Sequence, residues 1–165
     1  MSKIQIFVTG GTFDKTYNYI NGKLFFEKTH VPKMLERAKC RLDLEIDQLM
    51  LIDSLEMDDS HLKLIKEACL KCKSKFIVIT HGTDTMTNTA KYLIKANIPE
   101  KVIVITGAMV PYAFGSSSDG FFNLGSALSV VQNLSKGVYI NMHGQTFYGN
   151  QVEKDLKNGV FKSSN

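Results

Sequence analysis

The sequence predicts an α/β fold in which a mostly parallel sheet lies between two layers of helices. Three observations carry that expectation. Short runs rich in Val and Ile recur along the 165-residue chain, helical stretches separate them, and each notable cluster of polar residues directly follows one of the runs. Apolar runs without polar alternation suit strands covered on both faces. Strands and helices that alternate through right-handed crossovers give a doubly wound, three-layer α/β/α sandwich of the Rossmann or flavodoxin type, with ligands bound at the edge where the strands end.

The first run, Ile4-Gln5-Ile6-Phe7-Val8, leads into Thr9-Gly10-Gly11-Thr12, whose paired glycines permit a tight turn. A polar stretch holding Tyr17 and Tyr19 and ending at Asn21-Gly22 suits a mobile lid. Residues 32–40 carry apolar side chains at three- and four-residue spacing and form the first helix. The second strand, 49–52, opens into the loop 53–58, and the helix 58–73 follows. Strand 76–79 ends in the loop 80–85, before the helix 85–95. Strand 102–105 precedes a long loop from 106 and the helix 121–134. The last strand, 138–142, leads into a loop, 143–154, and residues 162–165 look like a frayed tail.

A chain of this length with 44% hydrophobic residues is expected to form one domain, 1–165, with a sizeable core. Its formal charge of +4 is spread along the sequence without the basic block or aromatic repeat of a nucleic-acid binder. No charged leader, long apolar segment or cleavage site precedes the first strand, so the sequence reads as cytoplasmic, with no membrane partner. Cys69 and Cys72 form a CxxC pair inside a Lys-rich helical stretch, and Cys40 makes three cysteines in all. A zinc site would need two more ligands, which His61 and His81 are not spaced to supply. A redox pair would sit at a helix start after a strand. The cysteines are therefore read as ordinary reduced thiols, and no metal or organic cofactor is expected.

Two hydroxyl-bearing, glycine-bearing turns at the ends of distant strands suggest one converging site. In Thr9-Gly10-Gly11-Thr12 the turn displays the Thr12 hydroxyl, a nucleophile once a neighbouring base takes its proton. Alone, the same turn reads first as a phosphate-binding glycine turn or a plain loop. In His81-Gly82-Thr83-Asp84-Thr85-Met86, Asp84 is suited to a ligand's ammonium group, and Thr83 would need a base such as Lys154. The alternative role for Thr83 or Asp84 is to cap the following helix. His81 precedes the glycine and reads as a structural hydrogen-bonding group rather than a base.

These segments together resemble the bacterial-type L-asparaginase/glutaminase family, whose signatures are a TGGT turn and an HGTDTM segment. Both are complete here, and supporting matches follow in order: Asp53-Ser54-Leu55-Glu56-Met57-Asp58, Gly107-Ala108-Met109, Ser118-Asp119-Gly120 with Asn123-Leu124, and the stretch 149–154. The likeness covers residues 3–154 and is highly specific as a set. It implies that Thr12 attacks the side-chain amide of L-asparagine, ammonia leaves, and water hydrolyses the acyl-enzyme. Thr83 and Lys154 would assist, Asp84 would hold the α-amino group, and Ser54 the α-carboxylate. The Ala108 carbonyl would meet the departing nitrogen, backbone donors near Gly11 and Thr83 would stabilise the oxyanion, and a lid tyrosine, Tyr17 or Tyr19, would complete the relay to Thr12.

The resemblance is to a short, single-domain form. Most family members carry a second α/β domain that contributes polar residues across an intimate dimer. Leu55 stands where the larger enzymes have glutamine, which removes one substrate hydrogen bond. Weak affinity for asparagine, low glutaminase activity and self-association as a homodimer or larger are expected. A related amide hydrolase, an amidotransferase component and an amino-acid-binding pseudoenzyme are the alternatives. The joint presence of Thr12, Thr83, Asp84 and Lys154 weighs against the last, since binding alone would not require two hydroxyls and a lysine.

Overall fold

A computed structural model describes residues 3–164. In chain order its strands are β1 (Ile4–Gly10), β2 (Lys15–Asn18), β3 (Lys23–Phe26), β4 (Leu44–Ile52), β5 (Phe76–Thr80), β6 (Val102–Thr106), β7 (Gly137–Met142), β8 (Gln145–Tyr148), β9 (Val152–Asp155) and β10 (Val160–Ser163). Its α-helices are α1 (Val31–Arg37), α2 (Asp59–Lys71), α3 (Met86–Lys95) and α4 (Gly120–Val130), and short 3-10 turns occupy Thr12–Asp14, Ser54–Glu56 and Tyr112–Ser117. No helix among the described residues is long and apolar enough to cross a membrane.

Six strands form the main sheet in the order β4-β1-β5-β6-β7-β8, parallel except for the β7–β8 pair. Chain order across the parallel strands reverses at β1, so β1 and β5 flank the switch point of a flavodoxin-type sheet. Successive side chains on a strand face opposite ways, which divides the core in two. Ile4, Ile6, Val8, Val78 and Val104 pack against α1 through Val31 and Met34 and against α4 through Leu124 and Leu128. Phe7, Ile77, Ile79, Ile103 and Ile105 pack against α2 through Ile65 and Cys69 and against α3 through Met86, Ala90 and Leu93. The sheet is thus covered on both faces, as the uninterrupted Val/Ile runs require.

Several boundaries differ from the sequence expectation, each for a local reason. Strand β4 begins at Leu44 rather than 49; it is the sheet's edge, so the exposed Glu45 and Asp47 alternate with the half-buried Leu44 and Ile46 and break the apolar run. The lid stretch is a hairpin of β2 and β3, with Tyr17 opposite Leu24. Lys154 lies on β9, not in a loop, and the expected frayed tail is β10 as far as Ser163, with Phe161 opposite Lys154. Residue 165 lies outside the described residues. Phe161 and Val152 are buried in the core on the α2 and α3 side, and they dock this hairpin against the body.

Candidate active site

Four strand ends share one small volume because glycine lets their backbones touch. Gly11 has φ +73, and a Cβ placed on it would lie 2.3 Å from Gly82 Cα and 2.4 Å from Gly82 N. A Cβ on Gly82 would lie 2.6 Å from both Cβ and Oγ of Ser54, and one on Gly107 would lie 2.3 Å from the His81 carbonyl oxygen. The turns after β1, β4, β5 and β6 are therefore in backbone contact, the close approach that only a missing side chain permits. Hydrogen bonds fix the arrangement: Thr9 Oγ1 donates to the Thr80 carbonyl at 2.7 Å, the Gly11 amide to the Ile52 carbonyl at 2.8 Å, and Thr85 Oγ1 to the Ser54 carbonyl at 2.9 Å.

On the β5 side, Lys154 Nζ donates to Thr83 Oγ1 at 2.8 Å and to Asp84 Oδ1 at 2.6 Å. The lysine side chain is only 10% exposed, against 42% for Asp84, so the ammonium is drawn inward while the carboxylate keeps an outward oxygen. Alternation on β9 explains the aim: Val152 and Lys154 face the body, and Glu153 faces out. Neither Thr83 nor Asp84 caps α3; the N-cap position is Thr85, which uses its hydroxyl on Ser54. His81 is fully buried. Its Nδ1–H donates to the Gly82 carbonyl at 2.8 Å, so its Nε2 accepts from the Thr89 hydroxyl at 2.8 Å. Burial pushes the imidazole down to about 4, outweighing the Gly82 carbonyl, and keeps it a neutral structural link.

On the β1 side, Thr12 opens a 3-10 turn and is partly exposed. Lys154 reaches Thr83 and Asp84 but not Thr12. Tyr17 is 51% exposed with its ring edge-on to Phe114 at 6.4 Å, and Tyr19, at the hairpin turn, is 84% exposed. The structure thus brings Thr83, Asp84 and Lys154 into direct contact, places Gly11 and Ser54 beside them, and leaves the lid tyrosines apart. The Gly11 amide is engaged by Ile52, so Gly11 contributes a close approach rather than a free donor.

Ala108 is buried, and the loop that holds it is organised by Asp119. Asp119 accepts from the amides of Met109 at 3.0 Å and Val110 at 2.9 Å, from Asn123 Nδ2 at 3.0 Å, and pairs with His143 Nε2 at 2.9 Å. Burial raises this carboxyl, but the Met109 and Val110 amides and His143 outweigh it and hold it below the ordinary value. Asn123 also donates to the Gly107 carbonyl at 2.8 Å and accepts from the His143 amide at 3.0 Å. A Cβ on Gly120 would lie 3.3 Å from Ala108 Cβ and 3.4 Å from the Phe13 ring, so this loop closes against the Thr12 turn.

The family model for the N-terminal asparaginase domain matches residues 3–163. The chain belongs to the asparaginase family. It is similar to the probable periplasmic L-asparaginase of Haemophilus influenzae, 34% identical over 97% of this chain and 48% of that protein, and to L-asparaginase 2 of Escherichia coli, 33% identical over 100% of this chain and 50% of that protein. Among solved structures, L-asparaginase I of Vibrio cholerae superposes with a TM-score of 0.84 at 26% identity, over 98% of this chain and 51% of that one. The chain spans about half the length of the curated relatives it matches.

Residues that the motifs did not single out also shape this asparaginase-family site. Lys15 pairs with Asp53, the residue before Ser54, and Asp14 is fully buried two positions after Thr12. Asp14 Oδ1 accepts from the Thr29 hydroxyl at 3.0 Å and the His30 amide at 2.8 Å, which ties the Thr12 turn to the start of α1. Its Oδ2 has no partner among the described residues. A polar residue just after the TGGT turn looks like part of a solvated lid; only its burial against Thr29 and His30 marks it out. The three cysteines are unpaired, and burial, with Cys72 adding to it, pushes the Cys69 thiol up to about 12, where it is an inert thiol.

Asp14 yields a pH prediction. Burial raises its carboxyl from 3.8 to about 6, against the pull of the His30 amide and the Thr29 hydroxyl. A carboxyl whose folded value lies above its unfolded one adds stability that is complete below the unfolded value and is lost as pH rises through the folded value. Relative to Asp14→Asn, the wild type is expected to lose roughly 2–3 kcal/mol between about pH 4 and pH 7. Urea unfolding of both proteins at the two pH values checks this; equal changes would contradict it.

Proposed function

We propose that this chain is an L-asparaginase, which converts L-asparagine to L-aspartate and ammonia through a threonine ester on Thr12. The observation that carries the reading is the bridge from Lys154 to both Thr83 and Asp84, set beside the glycine-held Thr12 turn. The ion pair with Asp84 holds the lysine in place, and its second hydrogen bond to the buried Thr83 hydroxyl is the contact through which a proton can move. Membership of the family supports the same chemistry.

In this reading Asp84 gives one oxygen to Lys154 and offers the other to the substrate's ammonium group, and Ser54 receives the α-carboxylate. The substrate's side-chain amide then points toward Thr12. Closure of the β2–β3 lid brings a tyrosine, Tyr17 from its position on the paired strand, to the Thr12 hydroxyl. The Thr12 oxygen attacks the amide carbon as its proton passes to the relay. The negative oxygen that forms is met by backbone amides at the two threonine turns. The relay then hands that proton to the amide nitrogen, which leaves as ammonia beside the Ala108 carbonyl as the intermediate collapses to the ester, and water, activated along the Thr83–Lys154 hydrogen bond, hydrolyses the ester. Six strands share one central sheet, and Val152 and Phe161 of the β9–β10 hairpin join its core, which supports the chain acting as a single domain.

Ammonia release measured across L-asparagine, L-glutamine and simple amides tests the proposal. Asparagine is expected to be the best substrate. Its Michaelis constant should lie above the low micromolar range, because Leu55 is 70% exposed and offers no polar group to the substrate. No ammonia from any of these compounds would overturn the reading, and faster release from a simple amide than from asparagine would overturn the substrate.

A further inference from the structure

Lys15 opens β2 directly after the 3-10 turn that begins with Thr12, and its ammonium pairs with Asp53 Oδ2. The other oxygen of Asp53 accepts from the Leu55 amide at 3.0 Å and caps the turn Ser54–Glu56. The lysine and aspartate side chains are 19% and 30% exposed, so the pair is partly withdrawn from solvent at one corner of the site. The Phe26 ring, 5.8 Å from Nζ to its centroid, lies beneath the lysine from the opposite strand of the lid. A cation and an anion thus meet where the lid hairpin joins the turn that Ser54 opens.

A substrate carboxylate seated on Ser54 alone would meet the negative charge of Asp53 one residue away. The Lys15 hydrogen bond holds the Asp53 carboxyl below its ordinary value, so that charge is present. Only an adjacent cation cancels it, and an ammonium has three donors, of which Asp53 engages one. We infer that Lys15 is the specificity-determining residue that selects substrates bearing an α-carboxylate, with Ser54 as its partner; this rests on the amidohydrolase reading above. It supplies from the lid what Leu55 does not supply from the serine turn. Asp84 reads the ammonium group, and Lys15 reads the carboxylate.

The test compares compounds that differ only in that carboxylate: L-asparagine against β-alaninamide for turnover, and L-aspartate against β-alanine for binding. In Lys15→Gln, the Michaelis constant for asparagine and the dissociation constant for aspartate are expected to rise roughly tenfold or more, with kcat within about threefold, because uniform binding is lost. Values for β-alaninamide and β-alanine stay at wild-type levels, and Lys15→Arg restores most of the loss. Equal effects on compounds with and without the carboxylate, no effect on either, or no binding of L-aspartate by the wild type would overturn the inference. Wild type that releases no ammonia yet binds L-aspartate in a Lys15-dependent way would sink the hydrolase reading and leave the role of Lys15 standing.

Discussion

Lys154→Met is expected to lower kcat for L-asparagine by roughly 10²–10⁴-fold, the range for loss of a positioned acid–base group. The fold should survive, because β9 is held by Val152 and Phe161 in the core and by its pairing with β10, none of which needs the ammonium. Methionine fills the space of the aliphatic stem. The Thr83 hydroxyl and Asp84 Oδ1 each lose one hydrogen bond, but Asp84 is open to water and is resolvated. The prediction is therefore specific: turnover collapses while the urea midpoint and L-aspartate binding change little. A variant that unfolds, or one that turns over asparagine within about tenfold of wild type, would show that the lysine is a structural tether instead.

Gly11→Ala is expected to damage both stability and activity. The residue has φ +73, a conformation unfavourable for any L side chain, and its Cβ would sit 2.3 Å from Gly82 Cα. Backbone is the obstacle, so no side chain can swing away; the two turns must part by roughly 1 Å to restore ordinary contact. The expected destabilisation is about 3 kcal/mol or more, among the larger single-residue effects. A displacement of that size between Thr12 and Thr83 should cost on the order of 10²-fold or more in kcat/KM. Urea unfolding and ammonia release on the same preparation measure both. Near-wild-type stability would mean that the two turns are not in contact in solution.

The contrast between these two positions also shows what could be read from the chain. Strands β1, β5, β6 and β7 announce themselves as apolar runs because both faces of the sheet are covered there, and the turns after the parallel strands hold the signature segments in unbroken form. Thr12, Ser54, Thr83, Asp84 and Ala108 were legible for that reason. Lys154 was legible as a residue but not as a strand residue: β9 and β10 are four residues each, are half exposed and carry mixed charge, so no periodicity marks them. The edge strand β4 hides its first half in the same way.

What the sequence conceals is long-range partnership. Asp119 stands where a helix cap would be expected, yet its oxygens reach back to Met109 and Val110 and across to His143. Asp14 looks like a lid residue and is buried; Lys15 looks like one more surface lysine and meets Asp53 across 38 positions of chain. Each of these is a contact made only when distant strand ends are brought together, and local pattern carries no signal of it. The glycines are the exception in kind: their spacing was visible, but which backbone each would approach was set by the β4-β1-β5-β6 strand order.

The most direct test of the central claim is to find the ester. Wild-type protein quenched in acid during turnover of L-asparagine, digested and mapped by mass spectrometry, should carry an aspartyl ester on the peptide that contains Thr12, and Thr12→Ala should carry none and release no ammonia. Ammonia release with the ester on Thr83, or by a Thr12→Ala variant at the wild-type rate, would contradict the account.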